Sequence, residues 1–388
     1  MKHRYALEPP APADLASHPQ VASLYIHIPF CLRKCPYCDF FSVPYDESWA
    51  FAYTGALCKE LQLKSAVAGV MRTIYIGGGT PSLLPDRCFR QIISCLNDYF
   101  DIPPETEISV EANPGTLSEG KIDLLVSLGV NRLSIGIQSL NGKELSTLGR
   151  MHTGDDAIRC LDVMRRSGLP NISVDLMYGI PGQSVYSWHS TISSLIEHKP
   201  NHISAYELTF EEGTLLPLTT EKPREDLILS MYDSAVDMLA VNGYEQYEIS
   251  NFAQPGFRCR HNLNYWERGE YIGTGAGAHS FICERRSVNV VSVDDYIEQL
   301  DSNVLPERES VTISSEGRLR EFLFLGLRKT EGISIREATT LGLDVIGAGR
   351  EMVDEGFLEF RDDRCRLTRK GIVLSNAVVV RLFQPLGL

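Results

Sequence analysis

Three cysteines stand close together near the start of the chain, in Cys31-Leu32-Arg33-Lys34-Cys35-Pro36-Tyr37-Cys38. Thiolates bind soft metal centres, and loops of this kind hold iron–sulfur clusters. Three ligands are one short of the four that close a structural site, so an iron held here keeps a vertex open for something else. Two other readings fit the same residues. Cys35-Pro36-Tyr37-Cys38 has the spacing of a dithiol redox pair, although such a pair has no need of a third cysteine upstream. A zinc site would need a fourth ligand, which His27 could supply, though from a strand it would point along a fixed face.

The loop needs a frame. The apolar run Leu24 to Ile28 precedes it, and from there strand-like and helix-like patterns alternate. The strand candidates are Leu24 to Ile28, Thr73 to Ile76, Glu107 to Ala112, Arg132 to Ile137, Ile172 to Met177 and His202 to Leu208. Helical patterns fill the crossovers: Glu47 to Ser65, Asp86 to Tyr99, Ser118 to Leu128, Asp155 to Ser167 and Ser187 to His198. Alternation of this kind implies an α/β fold with a parallel sheet and helices outside. Six units are two short of a closed eight-fold barrel, so the expectation is a partial (β/α)6 open barrel with a lateral gap.

Chemistry in parallel barrels gathers at the C-terminal ends of the strands. Each of the six ends here is polar or glycine-rich: the cysteine loop, Gly77-Gly78-Gly79-Thr80-Pro81, Glu111-Ala112-Asn113-Pro114, Gly136-Ile137-Gln138, Asp175 with Gly179-Ile180-Pro181-Gly182, and Tyr206-Glu207. Singly, each would pass as a helix cap or a turn. The glycine run is neither G-x-G-x-x-G nor a P-loop. Adjacent glycines let backbone approach a ligand, and a ligand with an amino-acid end suits them better than a nucleoside triphosphate.

The 388 residues allow two or three domains. No apolar run approaches the ~20 residues of a membrane helix. A net charge of −13 argues against broad nucleic-acid or acidic-membrane binding. Residues 1–20 read as a short flexible leader without a secretory core, and the chain as cytoplasmic. The other seven cysteines, scattered from Cys58 to Cys365, read as reduced thiols. Arg224 to Asn242 reads as an amphipathic docking helix. From Ser310 onward, helices at Glu316 to Arg328, Ser334 to Thr340 and Val345 to Glu355 precede short strands at Leu358 to Arg361 and Cys365 to Leu367 and a helix from Arg369 to Leu382. That order suggests a winged-helix-like α+β domain. Twelve Lys/Arg against eleven Asp/Glu there give no basic footprint for DNA, so a lid or partner-docking module is the expectation.

Tyr25-Ile26-His27-Ile28-Pro29-Phe30-Cys31 through Cys38, with Gly77 to Pro81, resembles the radical S-adenosylmethionine enzymes, and among them the oxygen-independent coproporphyrinogen III oxidase-like group. Cys259-Arg260-His261-Asn262-Leu263-Asn264-Tyr265-Trp266, followed by Gly273 to Ser280, resembles the haem chaperone branch of that group. The resemblance runs from about Ser23 to the C-terminus. It implies that Cys31, Cys35 and Cys38 hold a 4Fe–4S cluster whose fourth iron is chelated by S-adenosylmethionine. It implies further that Tyr25 flanks the cluster, that Gly78, Gly79 and Thr80 line the methionine end, and that Glu111, Gln138, Arg150 and Asp175 complete the pocket. Reductive cleavage of the sulfonium would be the chemistry, carried by the cofactor.

The oxidases that the chain resembles carry a further cysteine two residues after the third; here that position is Phe40. They also have a longer N-terminal segment. Both departures count against coproporphyrinogen decarboxylation and leave open whether the chain is an enzyme. They agree with a chaperone that binds haem and passes it to acceptor proteins. Haem itself comes only from the resemblance. His261 is the candidate contact, with His279 and Cys259 behind it, Tyr265 and Trp266 as stacking groups, and Arg258 and Arg260 as propionate partners. The competing reading makes this block a polar plug beneath the barrel. The expected division is 21–255 for the barrel, 256–309 for the connecting segment and 310–388 for the C-terminal domain. Expected partners are haem, an acceptor, an electron donor and, through an acceptor, a transient membrane surface.

Overall fold

Strands buried on both faces read as near-continuous apolar runs, and the six runs above form the centre of one sheet. We describe a computed structural model covering residues 21–216 and 221–388; the expected leader lies outside the described residues. Strands β1 (Val21–Ile28), β2 (Ala68–Gly78), β3 (Glu107–Ala112), β4 (Arg132–Gln138), β5 (Asn171–Tyr178) and β6 (His202–Glu207) are consecutive and parallel. Helices α1 (Glu47–Lys64), α2 (Asp86–Tyr99), α3 (Glu119–Ser127), α4 (Gly142–Thr147), α5 (Gly154–Arg166) and α6 (Val185–Glu197) fill the crossovers. Their starts are set by side chains: Asp46 caps α1, Ser118 caps α3, and Thr153 and Ser184 open capping boxes for α5 and α6.

The sheet is wider than six strands. β7 (Glu245–Gln246) and β8 (Asn251–Ala253) extend it antiparallel beyond β6, after α7 (Glu225–Val241), and β9 (Ile272–Thr274) adds in parallel beside β1. Each is two or three residues long, too short for a periodicity to reveal. The short helix α4 was likewise unexpected.

Between β8 and β9 lies α8 (Arg260–Trp266), which carries the His261–Trp266 block. Its first two N–H groups, on Arg260 and His261, donate to the two carboxylate oxygens of buried Glu107 at 3.1 Å each. Glu107 begins β3, so α8 is fixed under the N-terminal ends of the strands, and a carboxylate there suits the positive end of a helix. Segment 256–309, expected only as a connection, also enters an antiparallel sheet of β10 (His279–Ile282), β11 (Arg285–Asn289) and β12 (Glu307–Thr312), with α9 (Val293–Asp301) before the last strand, which runs past the expected boundary at 309. β10 is only four residues long, β11 is mostly polar and β12 is exposed along its length, so no apolar alternation marked them.

The C-terminal part has the expected helix-then-hairpin layout. Helices α10 (Ser315–Gly326), α11 (Ile335–Thr340) and α12 (Val345–Asp354) accompany a three-stranded antiparallel sheet, β13 (Ile333–Ser334), β14 (Leu358–Arg361) and β15 (Arg364–Leu367). The final helix is interrupted at Leu374, giving α13 (Arg369–Val373) and α14 (Ser375–Phe383). Arg369 ties this part to the barrel, donating to Asp233 and Asp237 of α7. None of the described helices is long and apolar enough to cross a membrane.

One buried carboxylate joins the barrel to the β9–β11 region. Glu60 of α1 is fully buried and accepts from Gly275 N (2.7 Å), Asn289 Nδ2 (2.7 Å), Tyr296 OH (2.6 Å) and Lys64 Nζ (2.7 Å). Removing it takes away the acceptor of Gly275 N and Tyr296 OH and the buried charge facing Lys64, although Lys64 Nζ keeps Gly273 O and Asn289 Nδ2 keeps Gly275 O. Glu60→Ala is expected to cost roughly 3–5 kcal/mol in chemical denaturation, as for other broken buried ion pairs. A loss below about 1 kcal/mol would show that the region is held by apolar packing alone.

Candidate functional site

The C-terminal ends of β1 to β6 surround a cavity of about 510 Å³, and Cys31, Cys35 and Cys38 all line it. Cys31 closes a two-residue strand, Phe30–Cys31, paired with Val43–Pro44, so the loop leaves and returns through one small ladder. Cys38 N donates back to Cys35 O at 3.1 Å, which turns the loop. All three thiols are partly buried, and none is in a disulfide. Burial raises the thiol pKa values of Cys31 and Cys38. Among the described residues no three His, Cys, Asp or Glu side chains are gathered tightly enough for a single metal ion. Three soft thiol donors spread around one cavity suit a polynuclear cluster, which spans more space than one ion.

A chain of polar contacts ties the loop to the strand ends. Cys31 Sγ lies 3.7 Å from Thr80 Oγ1, which accepts from Asn113 Nδ2 at 2.9 Å. Arg150 donates to Asn113 Oδ1, to Gly136 O at 2.5 Å and to Cys35 Sγ at 3.8 Å. The ends of β2, β3 and β4 and two of the three cysteines are thus linked through one guanidinium. Gly149, at positive φ, packs against the Pro36 ring, where an added Cβ would lie 2.6 Å from its Cδ.

The glycine run makes room within the protein as well as beside the cavity. A Cβ on Gly78 would meet the His27 ring at 2.5 Å, and one on Gly79 would meet Phe30 O at 2.7 Å. The missing side chains make room for the cysteine strand itself. Gly79 N and Thr80 N then donate to Ile28 O and Phe30 O, each at 2.8 Å. Gly78, Gly79 and Thr80 still line the cavity from that position.

Deeper in the cavity are the carboxylates. Glu111 accepts from Tyr75 OH (2.8 Å) and Gly78 N (3.0 Å); Asp175 accepts from Ser204 (2.7 Å) and Ser134 (3.1 Å). Burial pushes Glu111 up to about 7, with Asp175 adding repulsion, and burial raises Asp175 too. Gln138 sits at a register shift in the β4–β5 pair with φ +68°, a strained conformation for a non-glycine residue, and lines the cavity. The cavity therefore presents acceptors at its centre and thiols at its mouth, a setting for a cationic, hydroxyl-bearing ligand.

The structure separates other expected residues from the cavity. Tyr25 is not among its lining residues; its hydroxyl donates to His27 Nδ1 at 3.0 Å, and its ring packs near Tyr75 and His261. The expected haem contact at His261 is not supported. The ring is buried, Nδ1 is bonded to Thr73 Oγ1 (2.8 Å) and Nε2 to Tyr265 OH (3.0 Å), leaving no ring nitrogen for iron. Burial, with Arg132 nearby, lowers its pKa to about 3. The plug reading describes this block. Cys259 is buried against Glu107, Arg258 pairs with Glu245, and Arg260 donates to Glu105 O. Trp266 lies under Arg328, while His279 is exposed on β10.

Sequence reading missed Arg132 and Ser134, which line the cavity with Gly136 and Gln138. The two-residue period along β4 was the available signal, since alternate strand residues share a face.

A carboxylate with a raised pKa favours the folded state when protonated, and that advantage is lost as pH rises from the unfolded value near 4.3 to the folded value of about 7. Unfolding of the apo-protein in this window is expected to show Glu111→Gln gaining stability relative to wild type as pH rises. A difference that stays flat would mean Glu111 is ionised throughout.

Residues 25–195 match the Radical SAM superfamily, and residues 313–374 match the HemN C-terminal domain. "Heme chaperone HemW" of Lactococcus lactis is 34% identical over 92% of this chain and 96% of its own length; the Bacillus subtilis protein of that name is 35% identical over 92% and 97%. "Radical S-adenosyl methionine domain-containing protein 1, mitochondrial" of Mus musculus is 31% identical over 98% and 90%. The solved coproporphyrinogen III oxidase (HemN) of Escherichia coli superposes with a TM-score of 0.85 over 97% of this chain and 93% of its own, at 20% identity, which speaks for the fold. The chain belongs to the radical S-adenosylmethionine superfamily, in the HemN-like group and its heme chaperone branch.

Proposed function

We propose that this protein is a haem chaperone, which binds haem and delivers it to acceptor proteins from a radical S-adenosylmethionine scaffold. The observation that carries the reading is full-length likeness to proteins named heme chaperones, over 92% of this chain at 34–35% identity. Phe40, where the oxidases have a cysteine, supports it against coproporphyrinogen oxidation.

In this reading Cys31, Cys35 and Cys38 hold a 4Fe–4S cluster. The cluster with S-adenosylmethionine supplies one-electron chemistry when bound. The chain's own residues bind and orient. Gly78 to Thr80 line the methionine end, and Glu111 and Asp175 accept from its ammonium and ribose hydroxyls. Gln138 lines the pocket at the end of β4, and Arg150 braces Cys35 against β3 and β4. The work is divided among 21–255, 256–309 and 310–388. An electron donor, an acceptor and, through the acceptor, a transient membrane surface complete the partners of a cytoplasmic protein.

Reconstituted protein is expected to retain haem through gel filtration and to leave coproporphyrinogen unchanged with reductant and S-adenosylmethionine present. Decarboxylated product without haem retention would reverse the choice. Cys35→Ser is expected to lower anaerobically bound iron and sulfide to a small fraction of wild type, and equal iron in both would dismiss the cluster assignment.

A further inference from the structure

Phe40 has no partner in the mechanism above, and it is the residue by which the chain departs from the oxidases. It lines the cavity mouth just past Cys38 with 63% of its surface exposed. Its neighbour Phe41 turns the other way, stacking on His27 with centroids 6.1 Å apart. Phe41 is thus anchored inward at the bend while Phe40 faces outward. Leu32, on the same loop, is 54% exposed. Leu215 is 65% exposed and meets this loop at Pro36, because Leu215 N and Leu216 N both donate to Pro36 O at 2.9 Å. Exposed apolar groups gathered beside a cavity mark a binding surface.

Charge narrows the occupant. Arg33 and Lys34 line the same mouth, in a chain whose net charge is −13. Asp39 and Glu211 also face the cavity, so the cations are marked by position, next to Leu32, and not by excess. A flat apolar disc with carboxylates at its edge fits this combination, since aromatic faces stack and cations pair with carboxylates. We propose that haem docks at the cavity mouth, its macrocycle on Phe40 and its propionates toward Arg33 and Lys34, and not at the His261 block. The proposal rests on the haem chaperone reading and adds where the haem sits.

The test is a Soret titration of the full chain with haem, for wild type and three variants matched for iron and sulfide. Phe40→Ser is expected to weaken binding about tenfold, the size of one lost aromatic contact with its buried area. Phe40→Trp should restore it. Arg33→Glu with Lys34→Glu should weaken it and remove its salt dependence. Wild-type binding with all variants unchanged would overturn the site and leave the chaperone reading intact. No haem uptake by wild type would overturn both. Parallel loss in Phe40→Ser and Phe40→Trp, with the cluster retained, would count against stacking and so against the proposal.

Discussion

A single guanidinium holds the cysteine loop in register with the barrel. Arg150 touches Cys35, Asn113 and the carbonyl of Gly136, and Asn113 passes the link through Thr80 to Cys31. The loop is short, and of its apolar side chains Leu32 is exposed and Tyr37 only partly buried, so packing alone does little to fix its shape. Its geometry therefore comes from these contacts and from the glycine run packed on its strand. The same strand ends carry Glu111 and Asp175, so the position of the thiols and the depth of the cavity are set together. A parallel sheet makes this possible by bringing six C-terminal ends to one rim.

The opposite end of the barrel is also polar, and several of its groups bond one another. Glu107 caps α8, His261 spans Thr73 and Tyr265, and Thr73 donates to Ser23. Burying Glu107, His261 and Thr73 is tolerated because each is bonded, and an imidazole bonded at both ring nitrogens has neither one free for a metal. The specific His261–Trp266 block thus closes the barrel floor. At the rim, thiols and exposed Phe40 have room for ligands.

The central strands were legible because burial on both faces writes itself as apolar runs, and the cysteines because their spacing is local. The polar strand ends identified the working rim for the same reason. Long-range pairings were hidden. β9 lies beside β1 across about 250 residues of sequence, and its three residues carry no pattern. Whether His261 had a free nitrogen depended on Thr73, 188 residues away. The spacing of the glycines signals close approach, but the approach of Phe30 and His27 within the fold has no local sign in the sequence. Arg132 and Ser134 were readable from alternation along β4 and were passed over.

The most direct measurement is electron paramagnetic resonance of the reduced, anaerobically reconstituted chain, recorded with and without S-adenosylmethionine. Thiols held over a cavity that fits this ligand are expected to give a 4Fe–4S signal whose shape changes when the ligand is added. A missing cluster signal, or one that the ligand leaves unaltered, would contradict the proposed cluster site with its open iron.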